Sequence, residues 1–136
     1  MAQIKYNLGD LGTEVYSTNE TVIGTWIDGK PIYRKVIYNN DATKYSLGKD
    51  NTVNIPVVNA NGTGELIKYD VYASDASTNN SMLSISQYCK EWGNSFWTYF
   101  SKADGNLYIR SLANNNYYYI RIVIVEYTKS NWCVGD

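Results

Sequence analysis

The chain is predicted to fold as an all-β, antiparallel β-sandwich of jelly-roll type in a single domain, on three observations. Apolar and polar residues alternate strictly within short runs, the signature of strands with one face inward. Turn residues separate those runs at roughly 8–12-residue intervals, the spacing of sandwiches rather than of helical bundles. The chain also carries 14 Tyr and 4 Trp in 136 residues, rings that suit strands and contact surfaces alike.

The lead-in, residues 1–13, contains Asn7-Leu8-Gly9-Asp10-Leu11-Gly12 and reads as irregular. The sandwich is expected over 14–130, with a short tail at 131–136. Its first element is a hairpin. Two apolar-rich runs flank Asp28-Gly29-Lys30-Pro31, where Asp-Gly supplies the positive φ of a tight reversal and Pro31 fixes φ without donating a hydrogen bond. With those four residues as the loop, Ile27 faces Ile32 and Trp26 faces Tyr33. One face then holds Val22, Gly24, Trp26, Tyr33, Lys35 and Ile37, and the other Ile23, Thr25, Ile27, Ile32, Arg34 and Val36. Neither is purely polar, so a second segment or a second subunit is expected to cover the outer side.

Val53, Ile55 and Val57 alternate next, before a turn at 59–64, and Ile67, Tyr69 and Val71 follow ahead of a polar loop at 75–80. Leu83 and Ile85 form a short run, and Gln87 to Trp92 has the composition of a helical turn. Trp97 and Tyr99 share a face opposite Phe96 and Phe100. Ala103-Asp104-Gly105-Asn106 signals a hairpin into Leu107, Ile109 and Ser111. In the last strand Tyr118, Ile120, Ile122 and Ile124 read as the core face, with Tyr119, Arg121, Val123, Val125 and Tyr127 on a mixed outer face.

Composition narrows the chemistry. A formal net charge of −1 does not supply the dense Lys/Arg surface that a phosphate backbone requires, so no nucleic-acid partner is expected. No run approaches the ~18 apolar residues of a membrane span, and no apolar stretch follows Met1 as in a leader peptide. The chain has no His, and Cys89 and Cys133 lack metal-ligand spacing, so no metal or cofactor is expected. The two cysteines could pair or remain thiols. Without His, and without a nucleophile elbow or a phosphate-binding glycine loop, the usual catalytic arrangements are missing. Glu91 and Asp104 are the nearest approach to a glycosidase carboxylate pair, and both are expected to be solvated loop charges. The chain is read as a non-enzyme.

Binding is better supported. Residues 88–100, YCKEWGNSFWTYF, place six aromatic rings in a 13-residue stretch with Asn and Ser among them. Trp92, Asn94 and Trp97 are candidate ligand contacts, rings stacking on sugar faces while amides bond hydroxyls; the alternative is that these rings are core or inter-subunit packing. Asn115 and Tyr117, in a run of three Asn and three Tyr, are the second candidates, with a plain turn into a Tyr-rich strand as the alternative.

The hairpin segment, Ser17-Thr18-Asn19-Glu20 through Gly24-Thr25-Trp26-Ile27-Asp28-Gly29-Lys30-Pro31-Ile32-Tyr33-Arg34-Lys35, resembles a module found near the C-termini of many bacteriophage tail, fibre and baseplate proteins. The closing strand Tyr119 to Lys129 resembles the final strand of the same module. The resemblance implies a virion appendage assembled in a bacterial host's cytoplasm, homotrimeric, in contact with other virion proteins and with a host-surface glycan or receptor. Trp26, Tyr33, Tyr119 and Tyr127 are then candidate subunit-interface residues. Arg34 and Lys35, matching the motif, would serve the hairpin structurally as solvated or interface charges. The alternatives are a purely structural head-fibre or capsid decoration protein and a carbohydrate-binding domain of a bacterial surface protein.

Overall fold

The computed structural model describes residues 15–48, 51–58, 62–85, 96–111 and 118–130. Within them the alternating runs form eight strands: β1 (Thr21–Thr25), β2 (Pro31–Tyr38), β3 (Asn51–Pro56), β4 (Thr63–Asp75), β5 (Met82–Ser84), β6 (Phe96–Ser101), β7 (Asn106–Ser111) and β8 (Tyr118–Lys129). They make two antiparallel sheets, one of five strands in the order β1-β2-β8-β4-β5 and one of three in the order β3-β7-β6. The fold is the all-β sandwich that the patterning predicts. The pair β3–β7 lies within the sequence span of the pair β2–β8, and the chain passes between the two sheets there. Strands β5 and β6 join by simple antiparallel pairing to β4 and β7.

Period-2 alternation sends Val53, Ile55, Leu107, Ile109 and Phe96 from the small sheet against Val71, Ala73, Ile120, Val123, Val125 and Tyr127 from the large one. Each full burial of a Val, Leu or Ile side chain contributes roughly 1.5–3 kcal/mol, so this layer is the main favourable term in the fold. Lys35, on the inner face, reaches the sandwich rim and donates from Nζ to the Val57 carbonyl at 3.0 Å. Gly64 permits a close approach of β4 to β8: a Cβ there would lie 2.7 Å from Thr128 Oγ1.

Two expectations of register are corrected. The first hairpin turns earlier than Asp28. Thr25 pairs with Pro31 and Gly24 with Ile32, while the Trp26 amide donates to Lys30 O at 2.8 Å. Trp26 therefore closes a five-residue loop instead of facing Tyr33, whose partner is Val22, and Ile23 is an extra, bulged residue. Gly29 sits at φ 90°, and Asp28 Oδ1 accepts the Lys30 amide, so Asp-Gly does supply the reversal.

The second correction concerns β8. Ala73 pairs with Ile120 but Tyr72 pairs with Ile122, leaving Arg121 as a bulge. The extra residue resets the alternation. Ile120 points inward as expected, but beyond the bulge Val123, Val125 and Tyr127 form the core face, and Ile122 and Ile124 lie half-buried on the outer side.

Arg34 is buried rather than solvated, while Lys35 is only partly buried. Arg34 is the register partner of Glu126 and donates from Nε and Nη2 to Glu126 Oε2 at 3.1 and 2.8 Å. Segment 15–17 covers this pair: Val15 O accepts from Arg34 Nη1, and the Tyr16 ring lies 4.5 Å from the guanidinium carbon.

Candidate functional site

Outward positions of the three-stranded sheet carry the aromatic residues that the core does not use. In β6, Phe96, Thr98 and Phe100 turn inward and Trp97 and Tyr99 outward. In β7, Leu107, Ile109 and Ser111 are buried, which leaves Tyr108 and Arg110 on the outer side. In β3, Thr52, Asn54 and Pro56 are exposed. Register sets these residues in rows across the sheet. Trp97 lies opposite Arg110 and Arg110 opposite Thr52, while Tyr99 lies opposite Tyr108 and Tyr108 opposite Asn54.

The rings form a continuous ladder. Tyr99 and Tyr108 stack with centroids 4.8 Å apart and planes 9° from parallel, and Trp97 meets Tyr99 at 5.0 Å and 51°. Such pairs are worth ~0.5–1.5 kcal/mol beyond area burial, enough to hold the ring orientations. Trp97 is 55% exposed and Tyr99 41% exposed, so the ladder faces solvent.

The β6–β7 turn fixes one end of it. Asp104 Oδ2 accepts from the Tyr108 hydroxyl at 2.5 Å, and Oδ1 accepts the Asn106 amide at 3.1 Å. The Tyr108 hydroxyl bond holds the Asp104 carboxyl below its ordinary pKa, and the same bond pushes the Tyr108 hydroxyl up. Gly105, at φ 74°, accepts the Val57 and Val58 amides on its carbonyl, which ties the turn to the end of β3. At the other end, Arg110 Nη1 donates to Thr52 Oγ1 at 3.2 Å.

Beyond β3 lies an open groove of about 360 Å³ lined by Thr43, Tyr45, Ser46, Asn51, Thr52, Val53 and Asn54. Its outer wall, the 39–48 loop, is held by a buried amide: Asn39 Nδ2 donates to the carbonyls of Asp41, Lys44 and Ile120. Asn51 Nδ2 donates to Ser46 O across the groove at 2.8 Å. Tyr45 is held at φ 61°, a region an aromatic residue seldom occupies, and the Lys44 ammonium lies 5.1 Å from its ring centroid.

Of the residues singled out from sequence, Trp97 stands on this face; Trp92, Asn94, Asn115 and Tyr117, like Glu91, Cys89, Cys133 and the 87–92 segment, lie outside the described residues. Tyr99, Tyr108, Arg110 and the groove residues were not among the candidates. The Asp104-Gly105 turn was the available signal, because a hairpin there sets Tyr99 against Tyr108. Asp104 is bound within its own turn, and no group of three or more Cys, Asp or Glu is gathered among the described residues.

Two of the four expected interface residues, Tyr119 and Tyr127, are corrected by burial. Tyr119 and Tyr127 are 0% exposed within the single chain. The Tyr119 hydroxyl donates to Asn79 Oδ1 at 2.8 Å, and Tyr127 donates to Glu20 Oε2, so neither ring offers a surface to a second chain. Tyr33 stacks on Tyr127 on the inner face, under the Lys129 ammonium, and Trp26 is half-buried at the base of the first loop.

No family model, no curated protein and no solved structure matches the chain. The case for function therefore rests on the geometry and on the hairpin motif.

Proposed function

We propose that the chain is a non-enzymatic module of a bacteriophage virion appendage (tail, fibre or baseplate) that binds host-surface glycan on the outer face of its three-stranded sheet. The observation that carries the glycan reading is the solvent-facing ladder Trp97–Tyr99–Tyr108. Flat, prepositioned rings match the C–H faces of pyranoses, and the adjoining Asn54 and Thr52 bring an amide and a hydroxyl to the same face. The virion assignment is supported by the resemblance of the Ser17–Lys35 hairpin to modules of such appendages.

Homotrimeric assembly is part of the proposal. The surface suited to it is the outer side of the five-stranded sheet, where Ile32, Val36, Ile122, Ile124 and Tyr72 remain half-exposed. Sedimentation that gives a monomer at micromolar concentration would remove the oligomer from the reading.

The test of binding uses the purified chain on a glycan array and on intact bacterial cells. Trp97→Ala combined with Tyr99→Ala is expected to lower binding by about tenfold or more with the circular-dichroism melt of the fold retained. Equal binding by the double variant would overturn the assignment of this face. A chain that adsorbs to no glycan and no cell would leave a structural virion component as the better reading.

A further inference from the structure

We infer that the groove along β3 is a hydroxyl-reading subsite for a neutral sugar, which a linear oligosaccharide reaches from the aromatic face. The inference rests on the glycan reading of that face and adds to it the length and the neutral chemistry of the ligand.

The groove is built on the main chain of an edge strand. β3 is the outer strand of the three-stranded sheet, and an edge strand presents N–H and C=O groups outside the ladder. Asn51, Thr52, Val53 and Asn54 line the groove in unbroken succession. Val53 is 5% exposed with its side chain in the core, so the backbone meets the groove at that position. Main-chain donors and acceptors suit sugar hydroxyls, and the pairing of β3 with β7 already holds them in place.

The opposite wall is fixed as well. Tyr45 O accepts the Ile120 amide at 3.0 Å, and the Leu47 amide donates to Tyr118 O at 3.0 Å, so this stretch is anchored to β8. Tyr45 is one of two non-glycine residues at positive φ among the described residues, and strain of this kind gathers at ligand sites. Both walls stand ready before a ligand arrives, which spares the cost of ordering them.

Chemistry and shape select a sugar over a peptide strand. Thr43, Ser46, Asn51, Thr52 and Asn54 supply hydroxyls and amides, and no charged side chain is among the described residues that line the groove. An added peptide strand would need a run of open groups along β3. Asn51 Nδ2, bonded to Ser46 O at 2.8 Å, spans the groove and stops such a strand at one end. Pro56 brings no N–H to it at the other.

Continuity with the aromatic face follows from register. Thr52 and Asn54 are exposed positions of the sheet and also line the groove. Asn54 lies opposite Tyr108, and Tyr108 opposite Tyr99. At the usual strand separation, β6 and β3 stand roughly 10 Å apart. One sugar ring is too short to touch both ends, whereas a linear oligomer spans them.

The experiment uses the isotopically labelled chain with neutral linear hexose and N-acetylhexosamine oligomers of one to six units, and uronic-acid oligomers as the charged control. Affinity is read by isothermal titration and contact by amide chemical-shift changes. Affinity should rise about tenfold or more from the shortest to the longest neutral member, and the Thr52, Val53 and Asn54 amides should shift only with the longer ones. Asn54→Leu keeps the side-chain size and removes its hydrogen bonds. It should weaken the long oligomers about three- to tenfold and leave the short ones unchanged, while Trp97→Ala weakens all of them. Affinity independent of length, or shifts confined to Trp97 and Tyr99 at every length, overturns this inference and leaves the glycan reading of the aromatic face standing. Tighter binding of the uronic-acid series than of the neutral one has the same consequence. Failure of every oligomer, neutral or charged, to bind overturns both.

Discussion

Glu126→Leu is expected to destabilise the fold, because it removes the carboxylate that accepts from Arg34 Nε and Nη2 within the outer layer of the large sheet. The two side chains are only 7% and 13% exposed and approach to 2.8 Å. With charge centres near 4 Å apart and an effective dielectric of about 20, their attraction is about 4 kcal/mol. Removing one member of a buried pair costs ~3–5 kcal/mol in measured cases, so the two figures agree. For a chain of 136 residues a loss of that size corresponds to a fall in Tm on the order of 10–20 °C. Urea unfolding followed by circular dichroism gives the free energy directly. The double variant Arg34→Met/Glu126→Leu replaces both charges by apolar groups and should recover most of the loss, since buried pairs exchanged for packed apolar residues are often neutral. A single Glu126→Leu variant within ~1 kcal/mol of the parent would refute the reasoning, because it would show that the buried Arg34 charge does not depend on Glu126.

Gly29→Ala should cost about 1 kcal/mol or more in urea unfolding, through backbone strain at φ 90°, since a Cβ there meets nothing within 4 Å. Gly24→Ala, equally uncrowded and at ordinary φ, is the control and should be near neutral. Thermal stability should fall on both sides of neutrality. Hydrogen bonds from Thr43, Ser77 and Tyr108 lower the carboxyls of Asp41, Asp75 and Asp104 respectively, so their contribution is full above the ordinary value of 3.8 and is lost as pH falls through their folded values. Burial and the Glu20 bond raise the Tyr127 hydroxyl, so its contribution is full below about 10 and declines as pH climbs above that, where the unfolded tyrosine ionises first. Melts from pH 2 to 12 check both limbs; a Tm unchanged between pH 6 and pH 2 would contradict the acid limb.

Strand identity was legible wherever alternation ran uninterrupted. In β6, Phe96 and Phe100 against Trp97 and Tyr99 separate cleanly into inner and outer faces, as the sequence order implies. Register was legible only between bulges. Ile23 and Arg121 each insert one residue, and in β8 that was enough to exchange the inward and outward sets beyond the insertion. Nothing about Arg121 as a residue type marks a bulge; its guanidinium donates from Nη1 to the neighbouring Tyr119 hydroxyl and from Nη2 to the hydroxyl of Tyr38, 83 positions away. The site was legible in the same measure. Trp97 stands out in an aromatic run, whereas Arg110 acquires meaning only when β7 is set between β6 and β3. The groove was beyond reach, because its outer wall depends on Asn39 bonding Ile120 O across 81 positions of sequence.

The bulge at Arg121 also bears on how the two outer faces divide their tasks. Had alternation continued unbroken, Ile122 and Ile124 would have joined the core, and Val123, Val125 and Tyr127 would have faced outward. The insertion instead leaves Ile122 and Ile124 beside Val36 on the outside of the large sheet, a half-apolar surface next to the buried Arg34–Glu126 pair. The small sheet, free of bulges in its pairings, keeps its rings and polar groups in straight rows. The straight rows keep the rings of the small sheet in contact with one another, and the half-apolar outer side of the large sheet is the face suited to a second chain. Under the proposed function, the ligand would meet the three-stranded side and assembly would use the five-stranded side. Charged substitutions at Val36 and Ile124 should then alter the sedimentation of the protein without changing its affinity for glycan, and Trp97→Ala should do the reverse.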